Sequence, residues 1–357
     1  MNKIEIFKNL NKYKKDAKKL LVKILKLNSE KQLVSINVKS INQTDTSCVI
    51  KLTVNFHVGK ISYVENLFIK GPSDNKKMYL RNSLKEIEFY QNINIYNASI
   101  PIIKHFYSYV SANKDDFLLV LEDISNQYKT IGETNRSKID YWYGCIETLA
   151  RVHAYFWNHK NINEKLIDVR NKSQLKETEL KDLSMSEKFF CKYKEELSDK
   201  EKSFLKKAMY INIDFVKEVR ERTIKKDRIT IVHGDSHIHN FMFSINEDKN
   251  TILFDYQFFN KGIGTIDLAH LFRVDFPESL LVKQLDLVSY YHKILIENDV
   301  KDYSKKDCLR DFRNSVGVMM LIPFWQINIF NKPFDEVKLS LEKRISNFEL
   351  VDSIINQ

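Results

Sequence analysis

The feature that most constrains this chain is a change of hydrophobic period near residue 123. Upstream, Leu33–Val38, Cys48–Val58 and Ile61–Lys70 are rich in β-branched and aromatic residues, the composition of strands. Val58-Gly59-Lys60 predicts a hairpin turn between the last two, and Gly71-Pro72 predicts the end of the third. Residues 80–97 carry Leu84, Ile87 and Phe89 or Tyr90 at helical spacing. Pro101, strand-like Ile102–Val110 and the apolar run Phe117–Leu121 follow. Three to five strands and one helix predict a small antiparallel β lobe. Downstream, Ile139, Trp142, Tyr143, Ile146, Leu149, Ala150, His153, Phe156 and Trp157 hold a 3.6-residue period over five turns, which predicts a buried helix. Residues 160–228 are Lys- and Glu-rich and predict two or three peripheral helices. Ile229–Val232 reads as a short strand, followed by the polar loop His233–Asn240. A strand pair around Phe241–Phe243 and Thr251–Phe254 comes next, then a second acidic loop. Helices are predicted for the rest, one of them started by Ser304 with Asp307 three residues on.

Composition narrows the classes open to such a chain. Its 357 residues suit about two domains or lobes. Apolar residues at 43% and charged residues at 29% exclude wholesale disorder. Eight Gly and five Pro exclude collagen-like, linker-rich and many-turned all-β architectures. The cysteines at 48, 145, 191 and 308 form no CxxC motif, so a reducing, cytoplasmic compartment fits best. No apolar run approaches the roughly 18 residues of a membrane span. The apolar stretch Leu20–Leu25 is short for a signal peptide and is broken by Lys23.

The formal net charge of +10 is unevenly placed. Residues 1–27 predict one basic amphipathic helix, with Ile4, Phe7, Leu10, Tyr13, Ala17, Leu20 or Leu21 and Ile24 at helical spacing. Nine lysines there face only Glu5 and Asp16, so the segment carries +7. The apolar stripe is what a helix docked on the body needs, and the lysines are then its solvated face. A membrane-surface or nucleic-acid helix is the other reading. No aromatic-basic RNA motif accompanies the charge, which argues against a nucleic-acid partner.

The densest polar cluster is His233-Gly234-Asp235-Ser236-His237-Ile238-His239-Asn240, and Asp255 lies fifteen residues beyond Asn240. Strand, polar loop, two short strands and acidic loop bring Asp235, Asn240 and Asp255 to one edge. The set suits phosphoryl transfer. One carboxylate takes the proton of an attacking hydroxyl, while an amide oxygen and a second carboxylate are hard ligands for Mg²⁺ on nucleotide phosphates. The spacing D-x-x-x-x-N matches the catalytic loop of protein kinases. Upstream, Lys70 ends a strand, where its ammonium can pair with phosphate oxygens, and Glu86 on the next helix can hold it. Phe117–Leu121 runs into Glu122-Asp123, which offers backbone groups to an adenine edge.

In that order the residues resemble the aminoglycoside phosphotransferase and choline kinase superfamily, and within it the ecdysteroid-kinase-like (CHK kinase-like) branch. The resemblance rests on Phe68-Ile69-Lys70, Lys85 to Tyr90, Leu118 to Ile124, Leu149 to Ala154, Val232 to Asp235 with Asn240, Phe254 to Gln257, and Gly262 through Ala269. It spans about residues 40–320 and is weakest over 160–228. It implies an α+β, bilobal protein-kinase-like fold, with a small antiparallel β N-lobe of 1–123 that binds nucleotide. A larger helical C-lobe of 124–357 would carry the catalytic loop, the metal site and the acceptor region. It implies ATP- and Mg²⁺-dependent phosphorylation of a small-molecule alcohol. Asp235 would be the catalytic base, and Asn240 and Asp255 the metal ligands. Lys70 with Glu86 would anchor phosphates, Glu122, Asp123 and Ile124 would form the adenine hinge, and Asp267 would brace the catalytic loop. The phosphate-covering loop corresponds to Asn42 to Ser47, with Thr44, Asp45, Thr46 and Ser47 at its tip. It has no glycine where many relatives do, although close backbone approach to phosphate favours glycine.

Two other readings stand beside the kinase. The Gly-free loop fits a catalytically weak pseudokinase or binding module. His233, His237 and His239 beside Asp235 and Asp255 fit a metal-dependent hydrolase. Against the hydrolase, His237 and His239 are two residues apart and Asn240 suits Mg²⁺ better than Zn²⁺. His153, on the apolar face of its helix, reads as a satisfied core residue.

Overall fold

The computed structural model describes all residues except 1, 45–46, 74–79, 93–99, 133–134, 160–183, 185–186, 247–249, 274–275, 324–325, 328–331 and 356–357. The chain forms two units. Residues 1–129 and 244–258 make the first, and residues 130–243 and 259–357 the second.

The first unit is built on a five-stranded antiparallel sheet of β1 (Leu33–Gln43), β2 (Ser47–Val58), β3 (Ile61–Pro72), β4 (His105–Val110) and β5 (Phe117–Glu122), in the order β1-β2-β3-β5-β4. Gly59 opens the two-residue turn between β2 and β3 at φ +62°, a conformation that costs glycine little. Alternation sorts β2: Cys48, Ile50, Leu52, Val54 and Phe56 are buried, and the residues between them are not fully so. Strand β3 outruns its expected end, because Gly71 and Pro72 still pair with Cys48 and Ser47.

The expected single helix over 1–27 is two helices, α1 (Lys3–Lys8) and α2 (Lys14–Ile24). The chain turns at Asn9, whose carbonyl accepts from the amides of both Lys12 and Tyr13. Its side chain donates to Glu5. Asn9 and Asn11 are weak helix formers that favour such local bonds. Ile4, Phe7, Ala17, Leu20, Leu21 and Ile24 are buried in one core with Ile50, Leu52, Val54, Leu67 and Ile69 of the sheet. The apolar stripe therefore docks on the body. The approach is close at Gly71, where a Cβ would lie 2.6 Å from Ile4 Cβ.

The helix expected over 80–97 is α3 (Leu80–Asn92), and residues 93–97 lie outside the described residues. Phe89 of α3 stacks on Tyr256 with ring centroids 3.6 Å apart. Leu253 bridges Ile102, and Ile245 donates its amide to the Gln127 carbonyl. These contacts fasten 244–258 to the first unit, although it lies far along the chain.

The second unit is mainly helical. It comprises α4 (Ile139–Tyr155), α5 (Asp199–Lys225), α6 (Thr265–Leu271), α7 (Gln284–Glu297), α8 (Lys305–Met319) and α9 (Phe334–Ile355). Short strands β6 (Thr230–Val232) and β9 (Asn260–Gly262) pair antiparallel; β7 (Phe241–Ser244) and β8 (Ile252–Leu253) fall between them in sequence. The period read over 139–157 is realised in α4, which buries Trp142, Cys145, Ile146, Leu149, Ala150 and His153. The periphery yields the 27-residue α5, started by a capping box of Ser198 and Glu201. Ser304 caps α8 as expected, accepting from the Asp307 amide. Trp325 and residues 160–183 lie outside the described residues.

A buried ion pair ties α5 to α8. Arg222 donates to both Asp311 oxygens, at 2.7 and 3.0 Å, and Tyr303 donates to one of them at 3.0 Å. Removing Asp311 leaves the buried Arg222 guanidinium with only the partly exposed Glu218 as a carboxylate partner. Asp311→Ala is therefore expected to lower unfolding free energy by about 3–5 kcal/mol. Arg222→Met combined with Asp311→Leu should recover most of that loss. Chemical denaturation of the three proteins checks both statements.

Candidate active site

Each unit holds one group of site residues. In the first, Lys70, two residues before the end of β3, is buried, at 7% exposure, and donates to Glu86 at 2.6 Å and to Asp255 at 3.3 Å. Burial pushes the Lys70 ammonium down, yet Glu86 and Asp255 together hold it above the ordinary lysine range. Local structure explains the meeting. Glu86 and Phe89 are three apart on α3 and share a face. Phe89 stacks on Tyr256, so the residue before Tyr256 is delivered beside Glu86. Asp255 takes φ +67°, a left-handed conformation that few residues other than glycine adopt. Its side chain stays partly exposed, with one oxygen on Lys70.

The remaining expected nucleotide-binding residues also lie in the first unit. Thr44 and Ser47 close the β1–β2 hairpin: the Thr44 amide and hydroxyl donate to the Ser47 carbonyl, and the Ser47 amide donates to Thr44 Oγ1. Asp45 and Thr46 lie outside the described residues. The Glu122 and Asp123 amides donate to the carbonyls of Lys104 and Asn66. The Asp123 carboxylate meets Lys51 at 3.2 Å. Ile124 is buried, and its carbonyl accepts from Gln127 and Tyr128.

In the second unit, Asp235 sits in the loop after β6, with Gly234 at φ +80°. Asn240 donates its side-chain amide to the Asp235 carbonyl at 2.8 Å. That bond sets the amide so that Oδ1 is the atom available to a cation. The loop is held by Asp267 on α6, which has zero exposure. Asp267 accepts from the His233 amide at 2.6 Å, the Gly234 amide at 3.0 Å and Ser236 Oγ at 3.3 Å. His153 Nε2 lies 3.1 Å from the same carboxylate, and His153 Nδ1 lies 2.8 Å from Tyr291 Oη. Burial would raise Asp267, but His153 and the His233 amide hold it below the usual carboxylate range. Gly264 permits this packing, because a Cβ there would meet Tyr291 Oη at 2.3 Å and His153 Nδ1 at 2.8 Å.

Asp235 is flanked by two imidazoles. His237 Nε2 is 3.5 Å from one carboxylate oxygen and His270 Nε2 is 3.5 Å from the other. Burial raises Asp235, but His237 and His270 more than offset it and leave the carboxyl below its ordinary value. His270 was absent from the sequence reading. The available signal was its position three residues after Asp267, which puts both on one face of α6. The Arg136–His239 contact at 2.8 Å was not legible either.

The three histidines of the metal-hydrolase reading serve different partners. His233 Nδ1 accepts from the Asp235 amide, His237 faces Asp235, and His239 meets a guanidinium. Among the described residues, no group of three or more His, Cys, Asp or Glu converges so as to hold a metal ion. Asn240 Oδ1 and the Asp255 carboxylate are hard oxygen donors, which fits Mg²⁺ better than Zn²⁺.

His270 has a consequence for acid stability. Burial first and Arg273 second hold its imidazole down to about 3, from an ordinary 6.5. Below about pH 6.5 the unfolded chain takes up a proton that the folded protein refuses, so stability falls as pH drops through that window. Asp235, whose folded value is depressed, adds its own loss only near and below 3.8. His270→Gln is expected to show a smaller drop in Tm than wild type between about pH 7 and pH 5. Calorimetry at both pH values checks this.

Comparison with known proteins bears on the whole arrangement. No curated protein matches the chain in sequence. Among solved structures, a microcompartment-associated aminopropanol kinase is similar, with TM-score 0.54 and 10% identity, over 96% of this chain and 97% of that one. The GDP complex of aminoglycoside 2'-phosphotransferase-IIIa has TM-score 0.51 and 12% identity, over 92% and 98%. A putative aminoglycoside phosphotransferase from Ralstonia eutropha has TM-score 0.51 and 11% identity, over 89% and 93%. At these identities the likeness shows the fold, which is kinase-like. Among the described residues no helix is long and apolar enough to cross a membrane. Residues 43–302, well over half of the sequence, match the model of one family, and the chain belongs to it: the ecdysteroid kinase-like family.

Proposed function

We propose that this protein transfers the γ-phosphoryl group of ATP, with Mg²⁺, to a hydroxyl of a small molecule in the cytoplasm. The observation that carries the reading is the buried Lys70, fixed by Glu86 at 2.6 Å with Asp255 on its other side. A buried ammonium with two carboxylates is costly as mere structure. It is suited to phosphate oxygens, whose charge Lys70 meets without searching for a rotamer.

In this reading the first unit holds the nucleotide, with Thr44 to Ser47 over the phosphates and Glu122 to Ile124 at the base. Asn240 and Asp255 would hold the divalent ion, which when bound offsets charge on the phosphates. Asp235 orients the acceptor hydroxyl and takes its proton. That carboxyl lies below its ordinary value beside the two imidazoles, so it is ionised at neutral pH and ready to accept. Asp267 holds the loop that carries Asp235, and thus acts as a positioning residue.

Coupled measurement of ADP release over a library of alcohols tests the activity. Asp235→Asn is expected to lower kcat at least about 100-fold while nucleotide affinity stays near wild type. Full turnover in that variant would remove Asp235 from the chemistry. Asp255→Ala is expected to lose the thermal shift given by ATP with Mg²⁺, a shift that EDTA should reverse in the wild type. A nucleotide shift with no ADP release from any alcohol would favour the pseudokinase reading, to which the Gly-free loop belongs.

A further inference from the structure

The exposed side of α2 is a block of unpaired positive charge. Ala17, Leu20, Leu21 and Ile24 are spent on the sheet, so the helix has no apolar face left to bury. Its other side and the turn before it present Lys12, Lys14, Lys15, Lys19 and Lys23, all exposed, with Lys18 half-buried. Among the described residues, none of these six lysines has a carboxylate partner. Several lysines elsewhere are paired with acids: Lys200 with Glu349 at 2.9 Å, Lys207 with Asp352 at 2.8 Å and Lys293 with Glu297 at 3.7 Å. Lys12 and Lys23 lie over the rings of Tyr13 and Tyr107 instead, which supports their stems without cancelling their charge.

The sheet face under α2 also carries exposed apolar residues. Val38 and Ile41 of β1 pair with Leu52 and Ile50, which puts them on the sheet face that α2 covers. They remain 36% and 45% exposed. Val34 in the same edge strand is 58% exposed. Lysines on a helix that covers a sheet face with exposed aliphatics match the chemistry of an anionic bilayer surface, where ammonium groups meet headgroups and Val or Ile enters the boundary region. Nucleic acid would give the aliphatics nothing. The face also lacks arginine, the residue that grips phosphate and bases bidentately; the first arginine in the chain is Arg81.

We propose that the α2 face docks the protein on an anionic lipid bilayer. Docking there leaves the nucleotide-binding residues of the first unit open. Gly71 lies under Ile4 on the covered face, so Lys70, next along the strand, points to the opposite face.

The test is flotation of the full chain with vesicles of phosphatidylcholine alone or containing phosphatidylserine. Binding is expected only with phosphatidylserine and should weaken in high salt. The triple variant Lys14→Glu, Lys15→Glu, Lys19→Glu should lose affinity on the order of 100-fold. Its Tm should match wild type, since all three side chains are exposed. A control with the same charge change elsewhere, Lys301→Glu, Lys305→Glu, Lys306→Glu, should bind as wild type. No flotation with either lipid, equal binding to phosphatidylcholine, equal loss in both variants, or retained binding by the α2 variant overturns the proposal. Selective retention on duplex DNA or RNA without vesicle binding overturns it as well.

Discussion

Asp267 is the constraint on which the second unit's chemistry rests. A carboxylate at zero exposure is tolerable only if its lone pairs are filled, and here two backbone amides, a hydroxyl and an imidazole fill them. The satisfaction is reciprocal. The amides of His233 and Gly234 would otherwise be buried donors in a tight loop, and the carboxylate fixes where the loop turns. His153 on α4 and Tyr291 on α7 then lock the carboxylate from behind. Three helices thus meet at one buried anion, and the loop bearing Asp235 inherits their rigidity. Gly264 is a condition of that meeting, since any side chain there would displace the imidazole or the phenol.

The first unit solves a comparable problem with opposite charge. Lys70 is a buried cation on a central strand, and its two acids come from distant parts of the chain. Glu86 comes from the helix that follows the strand. Asp255 is supplied through an aromatic contact, Phe89 on Tyr256, and through a left-handed backbone at Asp255 itself. Here packing energy positions electrostatics: the ring pair sets the loop, and the loop sets the carboxylate.

Much of this is legible in the sequence. Alternation in Cys48–Val58 and the long period over 139–157 announced β2 and α4, because each element buries one face. The order Lys70, Glu86, Asp235, Asn240, Asp255 was legible because phosphoryl transfer needs those chemical types in that sequence of elements. What stayed hidden depended on backbone detail or on partners remote in sequence. The break at Asn9 arises from a carbonyl shared by two amides, which the apolar stripe across 1–27 does not register. His270 was hidden because its meaning depends on which face of α6 meets the loop, and Asp267 alone could have signalled that. The long α5 was obscured by its thin apolar stripe, although its capping box was present in the letters. The docking of 244–258 rests on contacts remote in sequence, the Phe89–Tyr256 ring pair among them, that no local pattern encodes.

That discontinuous first unit also sets an order of events during synthesis. A ribosome delivers residues 1–129 first, then the stretch 130–243 that belongs to the other unit, and only afterwards 244–258. Until Tyr256 emerges, the flat side of Phe89 has no ring to cover it, and Lys70 has one acid instead of two. The nascent N-terminal sheet is therefore a partly finished object for the time needed to translate more than a hundred codons. An unfinished apolar surface of that kind is where chaperones and non-native pairing compete. The first unit therefore matures only after the loop bearing Asp235 has already been made.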